Sequence, residues 1–528
     1  MQGYVRTFTQ GYGEFKDNML NTFSLYVQDD YHVSRRLTVN FGLRYDPQFP
    51  WEERKDRIEQ FSPAAYAANV RSQVYTNAPA GLLFPGDPGV PRWGVKGSYN
   101  NIAPRVGFAL DPTGDGKTSV RGGFGMFHDA LQSGVFNNRF VDVDPFSPQF
   151  SLTTPAGTFS NPYIGQRVPF PAPFPPPKDA VFTRPVLAIT YDPANGGKAF
   201  TPINYNWNLS FERQVAASWL VRAAYVGSRG THFQEALEMN PAVYSPTNKA
   251  GTDARRAFQP FGSISQAAMD VNSTFHSAQF TLQKRVSHGV TLLANYTWSK
   301  SLDTSPAGAG ISGPAQGGNS PIPWNFAGRH QADYGPSEFD HTHRFVVSYV
   351  WDLPKFTDSN AFMRYVVGGW QWSGIVTAQT GNTFTVQAGK DQSQTGLGTD
   401  RASFTGVNPY GGNACGNSTP CVNYLNPLAF TIAPIGAFGN VGKGSLRGPG
   451  LFSWDTGLFK DFPISRESVH LQFRAEFFNV LNRTNFANPG GSNTNPNSPT
   501  TNVSAGGFGT LTAAQDPRIG QLALKFIF

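Results

Sequence analysis

Apolar and polar residues alternate along many segments of this chain, which is the period of a β-strand with one face in an apolar environment. In the last segment, Leu522, Leu524, Phe526 and Phe528 occupy every second position. Residues 469–479 alternate in the same way, with Phe473 on one face and Gln472 on the other. In an outer-membrane barrel the lipid-facing side chains recur with this spacing, and aromatic residues line both rims. The pattern therefore predicts membrane-crossing strands, the last of which leaves its carboxylate in the periplasm.

Thirteen segments of the chain read as strands by this criterion, and a weaker fourteenth is predicted from Gly3 to Thr9. The thirteen lie at 20–31, 36–46, 102–110, 118–128, 203–213, 219–227, 274–285, 290–299, 342–352, 369–379, 453–460, 469–479 and 519–528. Several reach the roughly 9 to 11 residues that a tilted strand needs to cross a bilayer. In hydrocarbon an unpaired backbone amide is costly, so a spanning sheet must have no free edge. About 14 strands could close alone, but the sequence does not show that they do.

The connections between these segments alternate between short and long. Short turns occur near 33–35, 111–117, 215–218, 287–289, 354–365 and 461–467. Long connections rich in Pro, Gly, Asn and Ser fill 47–101, 129–202, 228–273, 300–341, 380–452 and 481–518. This sidedness is typical of outer-membrane barrels, with short turns in the periplasm and long loops outside. A soluble sandwich would have Val, Ile and Leu on its inner face and short turns at both ends, so it is not favoured.

Composition supports a protein of strands and turns. The 528 residues include 44 Phe and 56 Gly, aromatic residues make up 14% of the chain, and charged residues make up only 15%. No run of about 18 apolar residues occurs, which argues against a helical membrane span. The formal net charge of +7 comes without a basic run or stripe, so we expect scattered surface charge and no nucleic-acid partner.

The first ten residues and the two cysteines bear on cellular location. The segment from Met1 to Gln10 lacks the basic start, apolar core and cleavage site of an export signal, so either the protein stays inside or the front of the gene is missing. Cys415 and Cys421 lie six residues apart in a stretch rich in Gly, Asn and Pro. Because a structural metal site needs four ligands, a local disulfide in an oxidising compartment is the better prediction for this pair.

Five stretches of the sequence resemble the barrel of TonB-dependent receptors, and the closest resemblance is to the large Oar-like branch. They are Phe23-Ser-Leu-Tyr-Val-Gln-Asp-Asp-Tyr31, Leu37-Thr-Val-Asn-Phe-Gly-Leu-Arg-Tyr-Asp46, Asp333-Tyr-Gly-Pro-Ser-Glu-Phe-Asp-His-Thr-His-Arg-Phe345, Gly442-Lys-Gly-Ser-Leu-Arg-Gly-Pro-Gly450 with Trp454-Asp455, and Arg474-Ala-Glu-Phe-Phe-Asn-Val-Leu-Asn-Arg-Thr-Asn-Phe486. The resemblance covers nearly the whole chain. Each motif is weak alone, and their combination is specific.

The resemblance implies an all-β fold, an antiparallel up-and-down barrel of 22 strands plugged by an N-terminal globular domain. Residues 1–528 would supply about 14 of these strands, without a plug, a TonB box or a signal peptide. The parent protein would bind a solute at its outer loops and pass it inward when the TonB complex pulls on the plug. Its partners would be outer-membrane lipid, an unknown extracellular solute and the TonB complex, which it would reach through the missing N-terminal region. No catalytic residue and no cofactor is expected.

Two loops are candidates for solute contact, the Pro-rich stretch 170–177 and the Gly-rich stretch 308–324. Loops on a rigid scaffold commonly carry binding residues. They could equally be solvated spacers without a ligand, and no single binding residue is predicted. A self-contained barrel that acts as a passive pore or an adhesin remains a first alternative to the receptor. A secreted all-β binding protein is the second.

Other motifs with chemical meaning are weak. The glycines of 308–313 match a dinucleotide fingerprint in letters, but Pro314 follows where a helix should begin. Residues 111–116 resemble a calcium loop, but Gly122 stands where the bidentate Glu is required, so a tight turn is the better interpretation. His341 and His343 share one face of a strand and could bind a metal with a third ligand, although a polar rim explains them better. No Gly-x-Ser-x-Gly elbow supports a hydrolase.

Overall fold

A computed structural model gives the fold of this chain. It describes all residues except 1–5, 12–16, 94–96, 130–142, 148, 154–155, 166–167, 169–173, 192–200, 249, 306–321, 324, 416–420, 466–468, 493 and 499. The described part contains 28 strands, named β1 to β28 in chain order, and only short helical segments. No helix in this part of the chain has the length and apolar character needed to span a membrane.

Thirteen of the strands follow one another in a single antiparallel sheet, which we call the wall. They are β3 (Leu25–Ser34), β4 (Leu37–Tyr45), β8 (Ile102–Leu110), β9 (Thr118–His128), β12 (Ile203–Ala216), β13 (Trp219–Glu238), β14 (Phe261–Ser287), β15 (Val290–Asp303), β17 (His343–Asp352), β18 (Trp370–Gln379), β24 (Leu451–Ser465), β25 (Val469–Phe478) and β28 (Ile519–Ile527). Each pairs with its sequence neighbours among the wall strands. All thirteen strands predicted from the alternation are therefore present, in the predicted order.

The remaining elements are short. The first two strands of the chain precede the wall, one π-helical turn lies between β17 and β18, and the others lie in the long connections. The strands are β1 (Thr7–Gly11), β2 (Asn18–Met19), β5 (Glu52–Glu53), β6 (Gln60–Phe61), β7 (Leu82–Leu83), β10 (Gln149–Thr153), β11 (Val186–Tyr191), β16 (Gly335–Pro336), β19 (Thr383–Gln387), β20 (Ser403–Phe404), β21 (Val422–Asn423), β22 (Phe430–Thr431), β23 (Leu446–Arg447), β26 (Thr500–Asn502) and β27 (Thr510–Leu511). The helical segments are α1 (Pro63–Ala67), α2 (Arg329–Asp333), two 3₁₀ turns (Asp253–Arg255 and Pro427–Ala429) and a π-helical turn (Met363–Val367). Strand β11 adds in parallel to the upper part of β14, and β16 adds to β15.

The wall has two distinct ends, as the connection lengths predict. The turns after β3, β8, β12, β14, β17 and β24 are short, and this edge is called the short-turn end. The other six connections are long and meet at the opposite edge, the long-loop end. The longest of the short turns joins β17 to β18 and contains the π-helical segment. Strands β13 and β14 continue well beyond their predicted ends into the loops, where they still pair with each other.

The pairing register gives the wall an apolar face and a polar face. Residues directly opposite one another on antiparallel strands point to the same face. Phe473 lies opposite Leu524, and Phe280 lies opposite Tyr296. On the other face, Gln521 donates a hydrogen bond to Glu476 across β28 and β25, with 2.7 Å between Nε2 and Oε2. The face that the sequence predicts to contact lipid is thus a continuous surface in the structure.

The wall has two edges among the described residues, because β3 pairs only with β4 and β28 pairs only with β25. All ten residues of β3 are exposed. The sheet is therefore not closed into a barrel by the described residues. With thirteen antiparallel strands in succession, the first and last strands run in the same direction, from the long-loop end to the short-turn end.

Among the described residues, two hydrophobic cores lie in the long connections. The first core joins the connections after β4, β9 and β13 to the upper part of β14, and its members include Phe61, Phe84, Phe182 and Phe261. The second lies in the connection between β18 and β24 and includes Phe384, Val386 and Leu425. The long connections are therefore folded structures with buried side chains. We call the long connections together the loop layer.

A strand is present near the weaker fourteenth prediction, but it does not belong to the wall. The segment from Gly3 to Thr9 is described only from Arg6 onward, and strand β1 begins at Thr7. This strand pairs with β10 in a separate two-stranded sheet and does not join the wall. An amphipathic strand needs a partner for its backbone, and here a strand from a distant loop provides it.

Candidate functional site

The loop layer contains a buried cluster of charges around Arg329. The side chain of Arg329 lies on helix α2, and its Nη1 donates to Glu235 Oε1 at 2.6 Å, while its Nη2 donates to Asp270 Oδ2. Glu235 lies on β13 and Asp270 on the paired part of β14, so one guanidinium joins three elements. His330 Nε2 lies 3.6 Å from the same Asp270 oxygen. Removing one partner from such a buried set is costly, because the others are left uncompensated.

The carboxyl group of Glu235 lies outside the membrane-crossing part of β13 and is only 1% exposed. Burial raises its pKa well above the usual range, the neighbouring Asp270 carboxyl raises it further, and the Arg329 guanidinium opposes both effects. Oε2 of Glu235 and Oδ1 of Asp270 have no hydrogen-bond partner in the described part of the chain. Burial and the neighbouring carboxyl group of Asp270 therefore both favour the protonated form of the Glu235 carboxyl group.

Three more ion pairs hold the connection between β15 and β17 against the connection between β18 and β24. Each joins an acidic residue of the first region to a basic residue of the second. The pairs are Asp303 with Lys443, Asp333 with Arg401, and Asp340 with Arg447. The three acidic partners are buried. The loop after β15 is therefore fixed on both sides of the undescribed residues 306–321.

A further buried pair organises the connection after β4. Arg57 and Glu53 form an ion pair with 2.5 Å between Nη2 and Oε1, and both side chains are almost fully buried. The cationic groups of Lys55 and Arg57 lie 5.0 Å and 5.4 Å from the centre of the Phe174 ring. The pKa of Glu59, which is completely buried nearby, is raised well above its usual value, first because of burial. One Glu59 oxygen accepts a hydrogen bond from the Ile189 amide at 3.1 Å.

The polar face of the wall carries an open groove of about 630 Å³ on β3, β4, β8, β9 and β12. Its lining includes Asn40, Asn206, Asn208, Arg105 and Arg121. These hydrogen-bonding side chains, which can bind water or a polar solute, share the groove with glycines and with apolar residues such as Phe127.

A second cavity of about 390 Å³ lies on the same face, on β15, β17, β18, β24 and β25, and combines Leu293, Val350 and Ile375 with Asp455 and Glu476. The polar face is therefore not uniformly polar. Neither cavity brings together nucleophile, base and oxyanion donors as a catalytic site would require.

The residues predicted from sequence lie in several places. Leu522 and Leu524 of β28 are 72% and 67% exposed on the apolar face, with Phe526 and Phe528 following. The sulfur atoms of Cys415 and Cys421 lie within bonding distance in the structure. The disulfide stays a prediction for chemical test.

The two histidines do not come together as metal ligands. His341 Nδ1 bonds the Thr380 carbonyl oxygen at 2.7 Å, and His343 Nδ1 bonds the Tyr296 hydroxyl at 2.8 Å. No group of three metal-ligating side chains occurs within the described ranges. In the turn after β8, Asp111 accepts hydrogen bonds from the Gly114 and Gly116 amides, which makes it the tight turn that the sequence favours.

The predicted solute-contact loops lie largely outside the described residues. Of the Pro-rich stretch, residues 174–177 are described, and of the Gly-rich stretch only 322 and 323. The Gly-rich dinucleotide-like motif at 308–313 lies wholly outside them. The charge cluster around Arg329 was missed by sequence reasoning. Glu235 and Arg329 are 94 positions apart, and no local pattern marks such a pair.

Comparison with known proteins gives one family match. A family model described as "Outer membrane beta barrel domain" matches residues 1–521. No curated protein matches this chain.

Solved structures similar to this chain include three bacterial outer-membrane proteins. The outer membrane transporter YddB from Escherichia coli is 11% identical with a TM-score of 0.48, over 96% of this chain and 45% of its own. The siderophore receptor PiuA from Acinetobacter baumannii is 7% identical with a TM-score of 0.41, over 97% of this chain and 43% of its own. The ferripyoverdine receptor of the outer membrane of Pseudomonas aeruginosa is 10% identical with a TM-score of 0.42, over 96% of this chain and 38% of its own. The chain thus spans less than half the length of these structures, and TM-scores below 0.5 add nothing to the fold assignment.

Proposed function

Because this chain belongs to the outer membrane β-barrel family, and so to the bacterial outer membrane, we propose that it forms part of the wall and loop layer of a TonB-energised receptor. The wall would be the C-terminal part of a larger barrel, and the solute would bind at the long-loop end. A plug and a TonB-contacting segment of the same receptor would make the contact with TonB. The outer-membrane location excludes the alternative of a secreted all-β binding protein.

The main support for the proposal is that the long connections at the outer end are folded, with buried side chains and ion pairs. Buried ion pairs tie Asp303, Asp333 and Asp340 to a second loop, and Arg329 ties the same region to β13 and β14. A simple pore needs no such fixed layer, whereas a receptor benefits from contact groups held in place before the solute arrives. The polar groove on the wall supports passage of a hydrophilic solute.

The receptor role requires contact with TonB, which can be tested without knowing the solute. The full-length gene product is extracted from outer membranes and mixed with the purified periplasmic domain of TonB, with membranes of a deletion strain as the control. Saturable one-to-one binding is expected. Absence of binding, together with steady ion conductance of the same preparation in planar bilayers, would favour the passive-pore alternative.

We propose no catalytic step for this chain. The wall would supply a rigid polar lining, and the loops would supply hydrogen-bonding and aromatic contacts. The chemical identity of the solute is not part of the proposal.

A further inference from the structure

Four neighbouring strands of the wall each place one basic side chain on the apolar face, within two residue positions in height of the pair formed by His276 and Lys300. The four residues, called the rim cluster, are Arg229 on β13, His276 on β14, Lys300 on β15 and His343 on β17. His276 lies directly opposite Lys300. On β13, Arg229 is two residues beyond Gly227, which pairs with His276. On β17, His343 pairs with Trp298, which is two residues before Lys300. The cluster is therefore contiguous across the sheet.

The height of the rim cluster corresponds to the outer boundary of the membrane. Arg229 lies ten residues from Trp219 and Lys300 lies ten residues from Val290, both counted from the short-turn end. Ten residues at about 3.3 Å each, tilted by about 40°, rise about 25 Å, the height of the apolar band of such a wall. Below the cluster on the same face, Phe280 and Phe345 are exposed. The basic groups thus lie where lipid headgroups begin.

A repeated aromatic arrangement fixes the two histidines. The Tyr225 hydroxyl bonds His276 Nδ1 at 2.7 Å, and the Tyr296 hydroxyl bonds His343 Nδ1 at 2.8 Å. In both pairs the rings are nearly parallel, at 15° and 16°. Each tyrosine lies diagonally across from its histidine on the neighbouring strand. Each pair leaves Nε2 as the ring nitrogen without a partner in the described part of the chain.

The surroundings add apolar contact surface next to these polar groups. Trp298 is 58% exposed beside Lys300. The Trp207 ring lies 6.0 Å from the His276 ring, across the position of Gly227. An added Cβ at Gly227 would lie 2.3 Å from Trp207 Nε1, so the Trp207 ring can occupy this position only because residue 227 is glycine. The acidic group that faces the cluster is Asp340, 3.8 Å from Lys300 Nζ, and Asp340 is already paired with Arg447 at 2.5 Å.

We propose that the rim cluster binds the phosphorylated headgroup of a lipid in the outer leaflet. Arg and Lys are the side chains that recognise phosphate, and basic groups between aromatic residues at a membrane boundary attract anionic headgroups. The occupant is a lipid because the cluster is continuous with the exposed aromatic surface below it, where acyl chains lie. The inference depends on the family and the wall, and is independent of the proposed transport function.

The test measures binding to two lipids that differ only in phosphate. The full-length protein is purified from outer membranes and mixed with phosphatidylcholine vesicles that contain either bis-phosphorylated lipid A or the same lipid after dephosphorylation. We expect the phosphorylated lipid to bind more tightly. The double replacement Arg229→Gln with Lys300→Gln should weaken that binding about twenty-five-fold, because each basic group contributes about fivefold.

The matched control is Arg344→Gln, because Arg344 is exposed at the same height on the polar face, next to His343. This variant should bind both lipids as the unchanged protein does. If the double variant inserts poorly, Arg229→Gln alone should still reduce binding about fivefold, since Arg229 is exposed on the strand surface.

Three results would overturn the proposal. One is equal binding of the two lipids by the unchanged protein, and another is an equal loss in Arg344→Gln. The third is full displacement of the lipid by inorganic phosphate, which would mean a site for a free anion.

Discussion

At the scale of single residues, the alternation along each strand has a direct physical meaning in this molecule. Phe473 packs edge-on against Trp370 on the apolar face, with ring centres 6.0 Å apart. Gln472, one position earlier, bonds Asp461 and Arg474 on the polar face. Each side chain thus has the environment that its position in the period-two pattern predicts.

A positive charge should be tolerated on one of these faces only. Phe473→Arg is expected to destabilise the inserted protein by about 2 to 4 kcal/mol, because the guanidinium would meet mid-membrane hydrocarbon. Gln472→Arg should be nearly silent. The free energy of folding into liposomes is the measurement. Equal effects of the two variants would mean that the faces are assigned wrongly.

The two cysteines allow a chemical test at a single site. Cys415 and Cys421 should resist alkylation in the purified, oxidised protein and become reactive after reduction, because a disulfide has no thiolate to react. The number of labels is read by mass spectrometry before and after reduction. Immediate labelling without reductant would remove the disulfide prediction.

At the scale of elements, the loops depend on groups that come from distant parts of the sequence. Arg329 is the clearest example, since its guanidinium serves two carboxylates from β13 and β14. Elsewhere Glu59, from the connection after β4, accepts a hydrogen bond from β11. The loop layer therefore gains its stability from contacts between connections.

Loss of the Arg329 charge should loosen this region. Arg329→Met is expected to destabilise the loop layer by about 3 to 5 kcal/mol, because the buried Glu235 would remain beside Asp270 without a cation. Hydrogen exchange of the amides in 322–340 is the measurement. His330→Ala is the matched control and should change exchange little, since His330 is half exposed. Unchanged exchange in Arg329→Met would show that the cluster is not structural.

The buried acids should make the loop layer sensitive to pH. The folded pKa of Glu59 lies above its usual value of 4.5, so the protonated form contributes stability that is complete below about pH 4.5 and declines as pH rises through the folded pKa. Protease cleavage within residues 47–101 should accordingly increase as the pH rises above about 4.5.

Glu59→Gln should make this cleavage profile flatter, because the amide does not ionise. Glu52→Gln is the control and should keep the original profile. A profile that stays steep in Glu59→Gln would assign the pH dependence to another group.

The wall could be predicted from sequence because its signal is local. Every wall strand has a period of two and ends at a turn, so residues such as Leu522 and Phe473 identify their own faces. The loop layer could not be predicted, because its cores and ion pairs join residues such as Asp303 and Lys443 that are 140 positions apart. The upper parts of β13 and β14 were missed for a related reason. There the strands pair above the apolar band, where lipid no longer imposes alternation.

At the scale of the whole molecule, the direction of the edge strands limits how the wall can close. Strands β3 and β28 both run toward the short-turn end, so direct contact between them would be parallel. A closed barrel with only antiparallel neighbours must therefore add an odd number of strands to these thirteen, in agreement with the 22 that the family resemblance implies. The wall as described is an open sheet with two unpaired edges, and such edges are unstable in a membrane.

The edges should therefore not meet in the outer membrane. A cysteine pair at Val27 on β3 and Leu524 on β28 is expected to give no disulfide within one molecule of the full-length protein, because further strands separate the edges. Mobility on denaturing gels after mild oxidation is the measurement. A pair at Gln472 and Lys525, which lie directly opposite each other, is the positive control. Efficient cross-linking of the first pair would show a thirteen-stranded barrel closed by parallel strands.

The shared core of the first three long connections has a consequence for engineering. Phe61, Phe182 and Met239 come from three different connections and belong to one cluster. A chimaera that transplants only one of these connections onto a related scaffold would leave holes in the cluster and expose its aromatic rings. The three connections should be grafted as one block, and an antibody raised against the native outer surface should lose its epitope when any one of them is exchanged.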